Sequence, residues 1–278
     1  MAWEGLRRLI EQRLGVPGRA LLAWRTRGHA ESLLARRGLV APAADLTATL
    51  GTDIRRGPFA GMHYPRRRGD IVHVAKLLGA YECELHSAVE RLIARRPTRV
   101  LNVGSGDGYY AVGLARRLPD ATIDAIDPDP LAQRACARTA RLNGVANVRA
   151  LVGLDAAGLE AELRRPDFRT GTGHPRALLV VDCEGYEDEL LDPALAPSLL
   201  SADLLVETHD FAHFGVTRRL KSRFGSTHRV EEVAVLPRDP ADYPELASLP
   251  AAVAVGLLDE FRHQPQSWLV LTVLGSAA

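Results

Sequence analysis

From residue 99 onward the apolar positions alternate between short continuous runs and longer stretches in which they recur every three or four residues. The runs Arg99–Val103, Thr122–Asp127, Val148–Val152, Ala177–Asp182 and Leu204–Glu207 predict strands. Between them Tyr109–Leu118, Leu131–Asn143, Ala156–Arg164 and Glu187–Leu200 carry helical spacing, and Val216–Phe224 predicts a further helix after the fifth strand. Alternation of this kind builds a parallel sheet with helices on both faces. Two later β-rich runs, Arg229–Leu236 and Trp268–Leu274, suit an antiparallel pair closing one edge. The predicted fold is therefore α/β: a doubly wound seven-stranded sheet, parallel except for an antiparallel edge hairpin.

The first 70 residues read differently. Met1–Leu14, a Gly15–Gly18 break, Arg19–Gly28 and His29–Gly38 predict helices, followed by an irregular segment through Pro58, Gly61 and Pro65, and 1–70 is read as an N-terminal helical cap on a main domain of 71–278. From Ile71 to Arg96, Val74, Leu77, Leu78, Tyr81, Leu85, Val89, Leu92 and Ile93 predict one amphipathic helix whose polar side carries Glu82, His86 and Glu90. Between the two last β-rich runs, 237–266 contains Pro240, Tyr243, Pro244 and Pro250 and then a short helix near Leu257–Arg262. Loops of this length inside a domain are usually functional, so the segment is expected to wall the substrate side.

Composition narrows the classes. A 278-residue chain that is 46% hydrophobic and 25% charged can bury a large core, and its net charge of +1 offers nucleic acid and anionic membranes no global attraction. Cys83, Cys136 and Cys183 are odd in number and lack C-x-x-C spacing, which fits reduced thiols and a cytoplasmic protein. Met1–Leu14 has charges between its apolar residues, unlike a leader peptide, and no membrane span is visible. Self-association is left open. Arg66–Arg68 is read as a solvated loop and Trp268 as core.

The candidate chemistry begins where the first strand meets Gly104-Ser105-Gly106-Asp107-Gly108. Glycines let backbone approach a ligand, and Asp127 closes the second strand roughly 20 residues later, the distance at which a carboxylate reaches ribose hydroxyls. Dinucleotide sites favour G-x-G-x-x-G; here the spacing is G-x-G-x-G and Tyr109 takes the last glycine's place. S-adenosylmethionine, which has no phosphate, fits this turn better, with a dinucleotide or a purely structural turn as alternatives. Asn102, Gly104, Ser105, Gly106, Gly108, Tyr109, Asp127, Pro128, Asp155, Asp182 and Glu82 are the candidate cofactor residues.

Ligands of open parallel sheets bind beyond the carboxyl ends of the strands. The fourth strand ends in Asp182-Cys183-Glu184-Gly185 and the fifth in Glu207-Thr208-His209-Asp210. Acids also cap helices, but carboxylates gathered on adjacent strand ends repel unless a proton, cation or substrate relieves them. Asp182, Glu184, Glu207 and His209 are the candidate catalytic residues: His209 as general base for an acceptor hydroxyl, or Asp182, Glu207 and His209 as ligands of a divalent cation such as Mg2+. Glu82 and His86, one helical turn apart, suggest an exposed ion pair, with a metal or pocket role as the alternative. Cys183, between acids, is disfavoured as a nucleophile.

These motifs resemble class I S-adenosylmethionine-dependent methyltransferases, and among them the FkbM-type group. Val100–Gly108 is similar to the first motif, Val181-Asp182-Cys183-Glu184-Gly185-Tyr186-Glu187 to a D-x-E-G-x-E signature after the fourth strand, and Leu205–His209 to the fifth-strand ending. The similarity covers residues 98–210 well and the rest loosely; Gly57–Met62 with Leu77–Leu85 also looks like a pre-domain pattern in some such sequences. The resemblance implies a Rossmann-like fold and methyl transfer, most often to an oxygen of a sugar or natural-product scaffold, without naming the acceptor; N- or C-methylation of a small molecule, methylation of RNA, which the strand-end acids disfavour, and a non-catalytic cofactor-binding scaffold are the alternatives. Asn102 departs from the pattern, which usually has an acid there; the contact is expected either to be weaker or to be supplied by Glu82 or Glu84.

Overall fold

The computed structural model describes residues 32–66, 70–165, 177–262 and 266–274. Among these, strands β1 (Arg99–Val103), β2 (Thr122–Ile126), β3 (Val148–Leu151), β4 (Ala177–Val181), β5 (Asp203–Thr208), β6 (His228–Ala234) and β7 (Ser267–Val273) form one sheet in the order β3-β2-β1-β4-β5-β7-β6. The first five pair in parallel, and β7 runs antiparallel to both β5 and β6. The order reverses between β1 and β4, so the crevice at their carboxyl ends is the topological switch point. The predicted seven-stranded α/β sheet with its antiparallel edge is thus observed.

The helices are α1 (Val40–Leu50), α2 (His73–Leu78), α3 (His86–Ala94), α4 (Tyr109–Arg117), α5 (Pro130–Leu142), α6 (Ala156–Leu163), α7 (Glu187–Leu190), α8 (Val216–Phe224) and α9 (Ala251–Leu258). Start signals are readable in two of them. Asp129 accepts from the Leu131 N–H ahead of α5, with Pro130 in the first turn, and Asp155 accepts from the Gly158 N–H ahead of α6. β1, β4 and β5 sit mid-sheet and are almost wholly buried, which is why they read as continuous apolar runs. One sheet face packs on a cluster running from Leu34 and Leu46 through Leu77, Val112 and Ile123 to Leu257 and Trp268; the other packs on Leu159, Leu190, Val216, Leu220 and Phe224. Residues 34–93 therefore share a core with the sheet.

At the amino ends of the strands a buried charge network replaces apolar packing. Arg99 and Arg149 both reach Asp124, which is fully buried, and both donate to Glu162, at 2.8 and 2.6 Å.

Several predicted elements are corrected. The single helix over 71–96 is broken: Gly79 (φ +72) and Glu82 (φ +48) turn the chain, leaving α2, a 3-10 turn at Cys83–Leu85, and α3. A methyl at Gly79 would stand 2.5 Å from the Arg56 carbonyl oxygen, so the crossing segment enforces the break, while both helices keep their apolar faces on the same core. The helix over 187–200 stops after one turn at Leu190, because Pro193 and Pro197 follow, and ends in a 3-10 turn at Pro197–Ser201. The supposedly irregular stretch after Gly38 contains α1, which buries Ala43, Leu46 and Leu50. The short helix of the 237–266 segment lies at Ala251–Leu258, started by Pro250 rather than centred on Leu257–Arg262. Met1–Leu14, Arg19–Gly28 and Arg67–Arg68 lie outside the described residues, and of His29–Gly38 residues 32–36 are helical. Trp268 is core, as expected, and the three cysteines are free. Among the described residues no helix is long and apolar enough to cross a membrane.

Candidate functional site

The turn after β1 uses its three glycines for three different reasons. Gly104, Gly106 and Gly108 have φ of 80, 54 and 92°, a region that costs other residues roughly 1–2 kcal/mol each. At Gly104 a methyl would lie 1.6 Å from the Asp182 carbonyl oxygen, so this glycine lets the ends of β1 and β4 touch. At Gly108 it would meet Cys136 and Val112 at 2.9 and 3.0 Å, so this one seats α4 against α5. At Gly106 it would meet nothing within 4 Å. Gly106 faces open space.

The second strand holds the turn from the side. Gly104 and Ser105 donate N–H bonds to the Ile126 carbonyl, and the Asp127 carboxylate accepts from the Gly106 N–H at 2.9 Å and the Asp129 N–H at 2.8 Å. Asp127 is thus fixed beside the turn. Asn102 donates to the Val180 carbonyl at 3.3 Å, while its Oδ1 and the Ser105 hydroxyl are buried without a hydrogen-bond partner among the described residues. Pro128 lies against the Gly153 backbone, and Asp155 caps α6. Tyr109 packs edge-on against Phe59, Tyr64, Tyr81 and Tyr110, which makes it an aromatic floor element behind the turn. Glu82 and Glu84, the candidates for the contact at 102, each have protein partners. Glu82 accepts from Arg262 at 3.0 Å and from the Tyr110 hydroxyl, and Glu84 pairs with Arg238 at 2.6 Å. The expected exposed Glu82–His86 pair is absent: Glu82 is buried, and the His86 ring lies under Gly57.

The acids and the histidine do converge. Adjacent strands β4 and β5, in register at Val181 and Val206, deliver Asp182 and Glu207 side by side, with His209 just past the end of β5. His209 Nε2 stands 3.8 Å from Asp182 Oδ1, 3.8 Å from Glu184 Oε2 and 3.7 Å from Glu207 Oε2. Its Nδ1 lies 2.8 Å from Glu187 Oε1. Glu187, fully buried, also accepts N–H bonds from Gly185 at 3.0 Å and Cys183 at 3.3 Å. The loop wraps around that carboxylate, with Glu184 and Gly185 at φ of 57 and 101°. Asp210 instead caps α8 through the N–H and hydroxyl of Thr217.

These contacts set the protonation. Burial pulls the His209 imidazole down, but the bond to Glu187 and the charges of Glu187, Asp182 and Glu184 outweigh it and lift its pKa to about 9. Burial, together with the Glu184 charge, pushes Asp182 up to about 7 against the opposing pull of His209. At neutral pH His209 therefore keeps its proton, which weakens the general-base reading of this residue. Burial and the neighbouring acids raise the Cys183 thiol well above its ordinary value, in line with its dismissal as a nucleophile.

Two participants were missed. Glu187 belongs to the motif after β4 but is absent from the candidate site residues; its place as the last acid of that motif was the available signal. Arg262 donates to Glu207 and Glu82 from the 237–266 segment, and no local pattern in the sequence pointed to it. With Arg238, which reaches the Ala80 carbonyl and Glu260, it fastens that segment across the segment preceding α3. A separate surface cavity of about 380 Å3, lined by Arg116, Pro119, Asn143 and Asn147, lies at the amino ends of the strands, on the opposite edge from this chemistry.

No family model matches the chain, and no curated protein matches it. Among solved structures it is similar to an rRNA methylase from Streptococcus thermophilus (13% identity, 69% of this chain and 97% of that one, TM-score 0.47). It is also similar to the O-methyltransferase TomG from Streptomyces achromogenes, involved in tomaymycin synthesis and solved with SAM (18%, 68% and 78%, 0.44), and to a putative O-methyltransferase from Klebsiella pneumoniae (12%, 88% and 96%, 0.42). Likenesses this distant lend no weight to any particular activity.

Proposed function

We propose that the protein is an S-adenosylmethionine-dependent methyltransferase acting on a hydroxyl oxygen of a small molecule. The observation that carries this reading is the turn at the switch point, where open space over Gly106 adjoins buried, unpartnered oxygens on Asn102 and Ser105 and the fixed carboxylate of Asp127. Backbone and side chains of this kind suit a nucleoside bearing an amino-acid tail: Asn102 and Ser105 would take the tail, Asp127 the ribose hydroxyls, and Pro128 a face of the base. The bound cofactor supplies an electrophilic methyl group on a sulfonium.

The chain's own contribution is placement. The Asp182 backbone touches Gly104, so the acid cluster borders the turn, and an acceptor hydroxyl held by the cluster would lie beside a nucleoside bound at the turn. Asp182, Glu184, Glu207 and His209 would hold the acceptor hydroxyl beside the turn, and the acid cluster would take up the proton that the hydroxyl loses on methylation. Holding two reactants at attack distance contributes about 7–11 kcal/mol, more than the roughly 10²–10⁴-fold typical of a general base. The surroundings favour a small acceptor with apolar surface over RNA. Phe211 packs edge-on against His209 and Phe214 on the same loop is 89% exposed, while the acids would repel a phosphate backbone. Calorimetry with S-adenosylmethionine, S-adenosylhomocysteine and NAD tests the cofactor: the first two are expected to bind, and NAD binding with no response to either would overturn the reading.

A further inference from the structure

We propose that Asp182, Glu207 and His209 form a site for one first-row divalent cation, with Glu187 as the residue that positions the His209 ring behind it. One donor atom from each of the three lies within 4.8 Å of the others. The 3.7–3.8 Å separations from Nε2 are too long for hydrogen bonds but fall within the roughly 3–4.2 Å that separates two donors each about 2.1 Å from a shared ion.

Two further observations point to a ligand. His209 is 1% exposed and its Nε2 faces three carboxylates at 3.7–3.8 Å, beyond hydrogen-bond distance; among the described residues Asp182 Oδ1, aimed at the same place, is buried without a hydrogen-bond partner. Buried polar atoms are rarely left this way unless something binds them. Behind the ring, Glu187 Oε1 takes up Nδ1 at 2.8 Å, the arrangement in which a carboxylate fixes a metal-binding imidazole so that its other nitrogen faces the ion. The loop is shaped to make this possible. Its left-handed residues Glu184 and Gly185 put Asp182 on the open side of the ring, while Glu187 is held behind it by the Gly185 and Cys183 N–H groups.

Charge balance agrees. Asp182, Glu184, Glu187 and Glu207 surround one imidazole, and the arginine that enters the cluster, Arg262, binds Glu207 through Oε1 and leaves Oε2 facing His209. Two carboxylates and one imidazole suit Mn2+, Fe2+ or Zn2+ better than Ca2+, which prefers oxygen throughout. In the proposed methyl transfer the ion would draw the acceptor oxygen to the cluster and favour loss of its proton. That role rests on the methyltransferase reading, whereas occupancy of the site does not.

The test uses the full-length chain stripped with a chelator, then titrated with Mn2+ followed by spin resonance and with Zn2+ followed by calorimetry, without any cofactor. One equivalent of either ion is expected to bind. His209→Ala should weaken binding by about 100-fold or more, and Glu187→Gln by roughly 10–100-fold with unchanged stoichiometry. S-adenosylhomocysteine binding, measured on the same samples, reports that each variant is folded. If neither ion binds to protein that still binds S-adenosylhomocysteine, or if both variants bind as tightly as the wild type, the cation site is wrong and the acids are balanced by a protonated His209. Ion binding that depends on His209 in protein that ignores S-adenosylhomocysteine would keep the site and sink the methyltransferase reading.

Discussion

Replacing Gly106 by alanine separates a turn that exists for the fold from one that exists for a ligand. Its φ of 54° makes any other residue cost about 1–2 kcal/mol, but the added methyl meets no protein atom within 4 Å, so no further steric loss is expected. For a domain of this size a loss of that order lowers Tm by about 2–8 °C. Gly144 is the matched control. It has φ 64°, also nothing within 4 Å of an added methyl, and lies at the far edge of the sheet beyond α5. Gly106→Ala and Gly144→Ala should therefore shift Tm alike, by calorimetry or intrinsic fluorescence. They should differ in isothermal titration with S-adenosylhomocysteine, where Gly144→Ala keeps wild-type affinity and Gly106→Ala loses at least about tenfold, roughly 1.4 kcal/mol. Gly104→Ala should fail earlier, since its methyl would overlap the Asp182 carbonyl and disturb the fold itself. Wild-type affinity in Gly106→Ala, with the expected Tm shift, would show that the open space is not where the cofactor lies and would refute the reasoning.

Two other predictions concern stability. Asp124→Asn strips the fully buried partner from Arg99 and Arg149 and should cost about 3–5 kcal/mol in urea unfolding, whereas replacing Arg99, Asp124 and Arg149 together with apolar residues should cost much less. His228 donates from Nε2 to the Ala202 carbonyl and meets the Thr227 hydroxyl at Nδ1, and its burial holds its pKa below the ordinary value against the weaker opposing pulls of the Ala202 bond and Asp203. A lowered folded pKa means that the unfolded chain binds the proton first, so stability present above about pH 6.5 is lost as the pH falls through the folded value. The unfolding free energy of the wild type should therefore drop more between pH 7.5 and 5.5 than that of His228→Gln; parallel slopes would count against the assignment.

The sheet was legible because its central strands are buried on both faces and leave unbroken apolar runs, and the strand-end acids were legible because charge directly after such a run has nowhere to go but the crevice. Helical periodicity was less reliable. It persisted across Gly79 and Glu82 because α2 and α3 face one core, so the pattern recorded burial and not continuity. The partners of the site were hidden for a related reason. Arg262 meets Glu82 and Glu207 from 180 and 55 residues away, and no window of local sequence carries such a pairing. The network that joins Arg99, Asp124 and Arg149 across β1 to β3 was likewise not legible, because its partners lie on three separate strands.

The near-collision that Gly104 avoids ties donor and recipient sides of the crevice into a single rigid frame, since the backbone of one lies directly on the backbone of the other. Drift in the Asp182–Gly185 loop would be transmitted to the Gly104–Gly108 turn, whereas in the Phe211–Phe214 stretch, anchored to that loop through Ala212, Phe214 points outward. On the proposed methyltransferase reading, a change of acceptor should therefore come through Phe214, with the frame kept intact.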